Sequence, residues 1–453
     1  MKINYAHILN KNSKIFKNFY DFIIIGSGPA GVTLYKNIKF KKKNSKILII
    51  EEGNYHEKKY KKVYSKYLKI KLKSRAFTVG GSSSIWSNIS SYFEEFEMQS
   101  RWDREKKNLW PLKYNSLITE YKKVDKRFNF SFNKFQKSKF DVPFRVRQFI
   151  GSTYPLNFRE HINDNEIDII YNCKISTIDE INKISIAYTK NNKHYFSAKK
   201  IIICCGGIET INLIQNSINE KKIKNIQNKN IVGKFFMDHP KFNLGYLQYP
   251  KIELIKKFEL KKSSNRIIYF GISLKKSVQK QFNLLNSYVR FENSSGKIVK
   301  MLSNLNIPIL RNIINKKIFY KVRVFCEMKP NINNAVFLKK KKTFIKLKLS
   351  KIDIKTIKLL SQEIKNYFSY NPNLEKKLNF SITRNRMDDA SHHMGGFRFC
   401  NNRQFSNLDK NLKILGLSNI YVCSSAIFPT SGSVNPTMTI CALSRRLANH
   451  LVK

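Results

Sequence analysis

Apolar positions change period several times along this chain. Asp21-Phe-Ile-Ile-Ile-Gly26 is a short β-branched run closed by glycine, the pattern of a strand buried on both faces. Ala30, Leu34 and Ile38 then recur four apart, which predicts a helix with one apolar line. Lys46-Ile-Leu-Ile-Ile50 repeats the buried-strand pattern. So does Lys199-Lys-Ile-Ile-Ile-Cys-Cys-Gly-Gly207, followed by helical spacing at Ile208, Ile211 and Leu213 or Ile214. Ile167–Ile178 reads as a strand region, and Ile184–Phe196 as a hairpin turning at Asn191-Asn192. From about 241 to 385 the pattern alternates, as in Phe344-Ile-Lys-Leu-Lys-Leu349, with a helical stretch over Asp353–Phe368. The Lys339–Lys342 run within it reads as a solvated turn between strands.

The first strand flows into Gly26-Ser-Gly28-Pro-Ala-Gly31 and then into the helix. That context gives the glycines work: Gly26 for the tight turn, Gly28 for approach of a pyrophosphate to the backbone, Gly31 for close helix–strand packing. The helix N-terminus would face the phosphates. The second strand ends at Glu51, 20 residues after Gly31, where an acid can accept hydrogen bonds from an adenosine ribose. Strand, glycine turn, helix and spaced acid together predict dinucleotide binding on a doubly wound, Rossmann-like α/β domain. We assign it residues 18–240 and 386–453. A second, α+β domain with a mostly antiparallel sheet is expected over 241–385.

At 453 residues and 42% hydrophobic content, the chain has ample material for two such domains and is not a disordered sequence. Its charge is lopsided, with 85 Lys and Arg against 31 Asp and Glu, a formal +54. The lysines spread along the chain instead of forming one basic tail, as compositional drift would leave them. No aromatic-and-basic RNA pattern, zinc-finger spacing or helix-turn-helix accompanies them, so nucleic acid is not the expected partner. Peripheral contact with an anionic membrane is compatible with the charge. The seven cysteines form no CxxC and are odd in number, which fits a reducing, cytoplasmic setting. The first twenty residues lack a signal-peptide apolar stretch, and no run approaches a spanning helix.

The densest chemistry lies between Ser391 and His450. Ser391-His392-His393-Met-Gly395-Gly396-Phe-Arg398 places two of the chain's eight histidines beside a glycine pair and an arginine. Asn419-Ile-Tyr-Val-Cys423 predicts a strand, followed by Ser424 and Ser425, and Gly432-Ser-Val-Asn435-Pro436-Thr437 leads into a helix over Met438–Leu451. Asn435 is an N-cap candidate and Pro436 suits the first helical position. The partial positive charge at that helix start could stabilise an electron-rich cofactor edge.

Seven segments, in order, resemble the glucose–methanol–choline (GMC) family of flavoprotein oxidoreductases. They are Gly26–Glu51, Val79–Trp86, Trp110-Pro111-Leu112, Cys205–Thr210, Met237-Asp238-His239-Pro240, His392–Arg398 and Gly432–Thr437. The resemblance implies FAD as the dinucleotide and oxidation of an alcohol, polyol or sugar by hydride transfer to flavin N5. It implies His392 as the catalytic base and Asn435 as its partner, with His393 as the competitor for the base. Implied cofactor-binding residues are Gly26, Gly28, Gly31, Glu51, Gly80, Gly81, Ser82, Ser424, Ser425, Asn435, Pro436 and Thr437. No metal is implied. Neutral imidazole suits the role, since its ordinary pKa of about 6.5 lies near working pH.

Departures from the family pattern bear on the substrate and the cofactor. Ile85 stands where some relatives attach FAD through a histidine, so the FAD is expected to be non-covalent. Phe397 and Phe399 stand where relatives often carry Thr and Met, and Ser424 where aspartate is common. The electron acceptor, whether oxygen, a quinone or a carrier protein, is left open. So are two other readings: a flavin-binding lyase without net redox chemistry, and a catalytically inactive basic surface-binding relative.

Overall fold

In a computed structural model, the described residues are 2–8, 15, 18–99, 110–128, 142–152, 155–162, 168–189, 194–247, 255–263, 265–296, 298, 318, 320–368 and 387–453. The central sheet has eight strands: β1 (Lys2–Asn4), β2 (Phe19–Ile25), β3 (Ile47–Ile50), β6 (Asp168–Tyr171), β7 (Ile175–Ile181), β8 (Ile184–Thr189), β9 (Tyr195–Ile203) and β17 (Ile420–Val422). Their order is β1-β6-β3-β2-β9-β8-β7, with β17 also on β9. The β1-β6-β3-β2-β9 pairs and β9–β17 are parallel; β9–β8 and β8–β7 are antiparallel. Ile23, Ile24, Ile49, Ile201, Ile202 and Ile203 are fully buried, as β-branched residues covered on both faces should be.

The register decides where the site lies. Ile25 pairs with both Ile50 and Ile203, and Val422 pairs with Ile203. Four strand ends therefore lie side by side, and the segments after them open at one edge of the sheet. In open α/β sheets, ligands bind in the crevice outside such carboxyl ends. Among the described residues, seven α-helices accompany the strands: α1 (Pro29–Lys41), α2 (Glu95–Met98), α3 (Tyr114–Phe128), α4 (Gly206–Asn219), α5 (Lys276–Gln281), α6 (Lys351–Phe368) and α7 (Thr437–Leu451). Helix α7 packs on α1 and α3, and α4 packs on β7.

The second sheet has β5 (Arg145–Ser152), β10 (Lys241–Leu247), β11 (Lys261–Ser263), β12 (Arg266–Ser273), β13 (Tyr288–Asn293) and β14 (Tyr320–Phe325), all paired antiparallel. Stacked rings tie its strands together, with Tyr288 and Phe325 at 5.1 Å between centroids and Phe149 and Tyr288 at 4.7 Å. A third, small sheet joins β15 (Ala335–Lys339), β16 (Lys342–Leu347) and β4 (Tyr64–Tyr67).

A doubly wound domain combined with a mostly antiparallel one is the expected fold class. Several details differ from the sequence reading. The buried strand begun at Lys199 and the second arm of the hairpin are one nine-residue strand, β9. Strand β5 lies within 18–240 yet pairs with β12 along its whole length, Arg145↔Ser273 to Ser152↔Arg266. Strands β15 and β16, within 241–385, pair with β4 and not with the antiparallel sheet. Lys340 and Lys341 form the turn between them, at φ of 48° and 59°. Asn191-Asn192, Ile167 and the 385/386 division lie outside the described residues.

Candidate active site

Strand β2 ends at Gly26, whose φ of +103° and whose approach to Cys204 exclude a side chain: a Cβ would stand 2.6 Å from the Cys204 carbonyl oxygen. A Cβ on Gly31 would stand 2.1 Å from the Gly26 carbonyl oxygen, so this glycine closes helix onto strand. Gly28 is different. The nearest atom to a Cβ there is Gly81 Cα at 4.0 Å, and the position opens into a cavity of about 910 Å³.

That cavity is lined by Gly26, Gly28, Glu51, Gly81, Ser82, His392, His393, Ser424, Ser425, Asn435, Pro436 and Thr437, together with Ile85 and Gly206. Gly31 and Gly80 do not line it. At Gly80, φ is +90°, its N–H donates to Ser27 Oγ at 3.1 Å, and a Cβ would meet the Arg159 nitrogen at 2.7 Å, so it shapes the turn. Two hydroxyls on the wall serve the protein itself. Ser424 Oγ accepts from the Ala426 N–H at 3.2 Å, and Ser82 Oγ from the Ala76 N–H at 3.2 Å.

The residues fit a dinucleotide. Helix α1 starts at the wall with Gly28 as N-cap and no side chain capping it, so its first N–H groups are left for another acceptor. A Cβ at Gly206 would likewise meet nothing within 4 Å. Glu51 is buried at the cavity's edge. Ser27 N–H and Oγ–H donate to its Oε2 at 3.0 and 2.7 Å, and Gly53 N–H to its Oε1 at 2.8 Å. Burial raises its pKa while those three donors oppose the rise. Ser27 is one residue that sequence reasoning passed over: it links the acid to both glycine turns.

At the other end of the cavity, Asn435 Nδ2 donates to His392 Nε2 at 2.9 Å. Asn435 is therefore not the cap expected from sequence. Pro436 takes the N-cap position of α7, its carbonyl accepting from the Ile440 N–H at 2.9 Å, and no side chain caps the helix. The amide is turned to the imidazole, and the helix start is bare towards the cavity. On its other side, His392 Nδ1 lies 3.0 Å from His239 Nδ1, the rings nearly perpendicular at 84°. His239 Nε2 lies 2.9 Å from the Gly432 carbonyl oxygen and 3.2 Å from that of Ser431. Asp238 Oδ1 accepts the backbone N–H of both His239 and His392, at 2.6 and 3.1 Å, which fixes the two segments side by side.

Burial pushes the His392 pKa well below its ordinary 6.5, and His239, Lys241, His393 and Arg290 push the same way. Burial also brings His239 down to about 4, against two carbonyl contacts that favour its protonated form. His393 is directed elsewhere: its Nε2 meets Asp389 Oδ2 at 3.2 Å and approaches Asp238 Oδ2 at 3.7 Å.

The Asn435 turn is held from below by Glu97 on α2, a fully buried carboxylate. Its Oε1 accepts from Ser433 N–H at 2.7 Å, from Ser433 Oγ–H and from Asn286 Nδ2 at 3.1 Å, and Arg147 on β5 reaches its Oε2 at 2.9 Å. Burial alone would raise the Glu97 pKa, but Arg147 and the Ser433 donors outweigh it and hold the group ionised. Neither Glu97 nor His239 stood out in the sequence as a site residue. His239 carried a signal in the Asp-His-Pro run; Glu97 carried none.

Comparisons with known proteins bear on this arrangement. A family profile described as GMC oxidoreductase matches residues 339–444. The fold is similar to formate oxidase of Aspergillus oryzae RIB40 in a structure concerned with FAD modification (TM-score 0.64, 13% identity, 96% of this chain and 98% of that one). It is also similar to pyridoxine 4-oxidase from Mesorbium loti (TM-score 0.59, 11%, 96% and 99%) and to a fungal aryl-alcohol oxidase (0.59, 10%, 96% and 99%). An uncharacterized protein of Methanocaldococcus jannaschii is 28% identical over 215 residues, 45% of this chain and about half, 53%, of that relative's length. The solved structures speak for the fold from end to end, and the profile for the segment that carries His392 and Asn435. Residues 339–444 thus match the GMC oxidoreductase profile, on a fold similar to that of these three oxidases.

Proposed function

We propose that this protein is an FAD-dependent oxidoreductase that oxidises a CH–OH group, with His392 as base and Asn435 as the donor to the substrate oxygen. The observation that carries the reading is the 2.9 Å pairing of Asn435 Nδ2 with His392 Nε2 at the uncapped start of α7, on the same cavity wall as Gly28. Bound FAD would supply the hydride acceptor. The α1 N-terminus, Gly28 and Gly81 would hold its pyrophosphate, and Glu51 its ribose.

The chain's own residues then have separable tasks. An alcohol carbon gives up hydride readily only while its hydroxyl proton is being removed, so a base must sit within hydrogen-bond reach of the oxygen. His392 is kept neutral by its surroundings and offers that base. Asn435 donates to the oxygen without competing for the proton. The bare N-terminus of α7 supplies a fixed positive end towards the cavity, where negative charge would be stabilised. Ile85, also on the wall, has no nucleophilic atom, which supports a dissociable cofactor.

The test is to load the protein with FAD and add alcohols, polyols and sugars without oxygen. Bleaching of the yellow colour by one of them is expected, and acid precipitation should release free flavin. His392→Ala should keep the colour and lose the bleaching. A protein that stays colourless with FAD, or a His392→Ala variant that bleaches normally, overturns the reading.

A further inference from the structure

The hydrogen-bond chain behind His392 has only one consistent arrangement of protons when both rings are neutral. It starts at the carbonyl oxygens of Gly432 and Ser431, 2.9 and 3.2 Å from His239 Nε2. Carbonyl oxygens only accept, so His239 Nε2 carries hydrogen and Nδ1 carries the lone pair. His239 Nδ1 and His392 Nδ1 are 3.0 Å apart and need one proton between them, which must then sit on His392. That leaves His392 Nε2 bare, and the Asn435 amide donates to it at 2.9 Å. Two imidazoles, an amide and two peptide carbonyls thus agree on one tautomer.

We propose that His239 is a positioning residue: it fixes His392 as the Nδ1–H tautomer, with its Nε2 lone pair on the Asn435 side of the ring, where it would take the substrate's proton. The inference rests on His392 being the base. His239 does not conduct the proton onward, because the chain behind it ends on peptide oxygens that cannot take one. It is also a neutral partner, unlike the carboxylate that orients histidine in a hydrolytic triad, so it orients the ring without placing a negative charge against the imidazolium. The charged and titratable groups around the pair fit this. Lys241 on β10, Arg290 on β13 and His393 beside it all disfavour a cationic His392. Asp238 spends Oδ1 on the two backbone N–H groups and not on either ring, and Glu97 acts on His239 only at a distance.

The decisive measurement needs no substrate. In FAD-loaded protein labelled with 15N-histidine, His392 should show a protonated Nδ1 and a bare Nε2, and His239 the reverse, with peaks assigned through His239→Asn and His392→Asn. A protonated Nε2 on neutral His392 overturns the proposal. With a bleaching substrate in hand, His239→Leu should slow anaerobic flavin reduction at least about tenfold, as loss of a residue orienting a functional histidine commonly does. His239→Asn, whose oxygen can accept from His392 Nδ1–H, should recover most of that rate. His239→Asp should move the rising limb of the rate against pH upward by about one unit or more, since a carboxylate favours the imidazolium. An unchanged rate in the leucine variant overturns the proposal. If no alcohol bleaches the flavin, the functional reading fails, and the tautomer spectrum still decides the role of His239.

Discussion

A methyl group added at Gly26 and one added at Gly28 would meet opposite fates. At Gly26 it collides with the Cys204 carbonyl at 2.6 Å and forces a positive φ on a residue with a Cβ. Gly26→Ala should cost more than about 2 kcal/mol of stability, visible as a lowered melting temperature without cofactor. At Gly28 it meets protein only at 4.0 Å, so Gly28→Ala should melt like the parent alone and lose FAD affinity instead. Equal melting of the two variants would sink this contrast. The buried imidazoles make a second prediction. His239, lowered to about 4 in the fold against 6.5 unfolded, stays neutral where the unfolded chain binds a proton. Its contribution is complete above pH 6.5 and falls away as pH drops towards 4, costing about 2 kcal/mol between pH 7 and pH 5. Urea titrations at those two pH values should show the loss, and His239→Asn should shrink it. Residue identities in the site were largely legible, because glycines, histidines and the Asn-Pro turn stand in recognisable local runs. The partners were not: that Asn435 turns to His392 instead of capping α7 depends on contact across 43 positions.

At the scale of elements, short α2 does more than its length suggests. Glu97 bridges Arg147 on β5 to Ser433, just ahead of Asn435, and so ties the antiparallel sheet to the segment that carries the amide. Glu97→Ala leaves buried Arg147 with only the more distant Glu94 carboxylate at 3.9 Å, which should cost about 3 kcal/mol by denaturant titration. Its lowered pKa gives the sign with pH: the pairing counts fully above the ordinary glutamate value of 4.5 and is lost as pH falls below it. The parallel strands were legible because a strand buried on both faces must be apolar throughout. Strand β5, Arg145-Val-Arg-Gln-Phe-Ile-Gly-Ser152, mixes cations with apolar residues, and its pairing with β12 is a choice of tertiary partner that no local pattern reveals.

Over the whole molecule, the cavity collects segments far apart in the chain, from Gly26 through Cys173, Gly206 and Thr343 to Thr437. A ligand bound there ties those segments together, and FAD at a hundred times its dissociation constant should stabilise the fold by about 2.7 kcal/mol. A thermal melt that does not move with added FAD would contradict the assignment of this cavity. Among the described residues no helix is long and apolar enough to cross a membrane. The formal charge of +54 comes from lysines and arginines spread along the sequence.

Strand β9 has one neighbour translated long before it and another long after: β2 ends at Ile25, β9 at Ile203, and β17 begins at Ile420. On the ribosome, the nascent sheet must therefore wait with the flank of Ile201–Ile203 uncovered while the antiparallel domain is being made. Helix α7, which brings its bare end to the imidazole, emerges later still. The protein thus assembles its chemistry last, and a chain halted before Ile420 should expose a sticky sheet edge and call on chaperones.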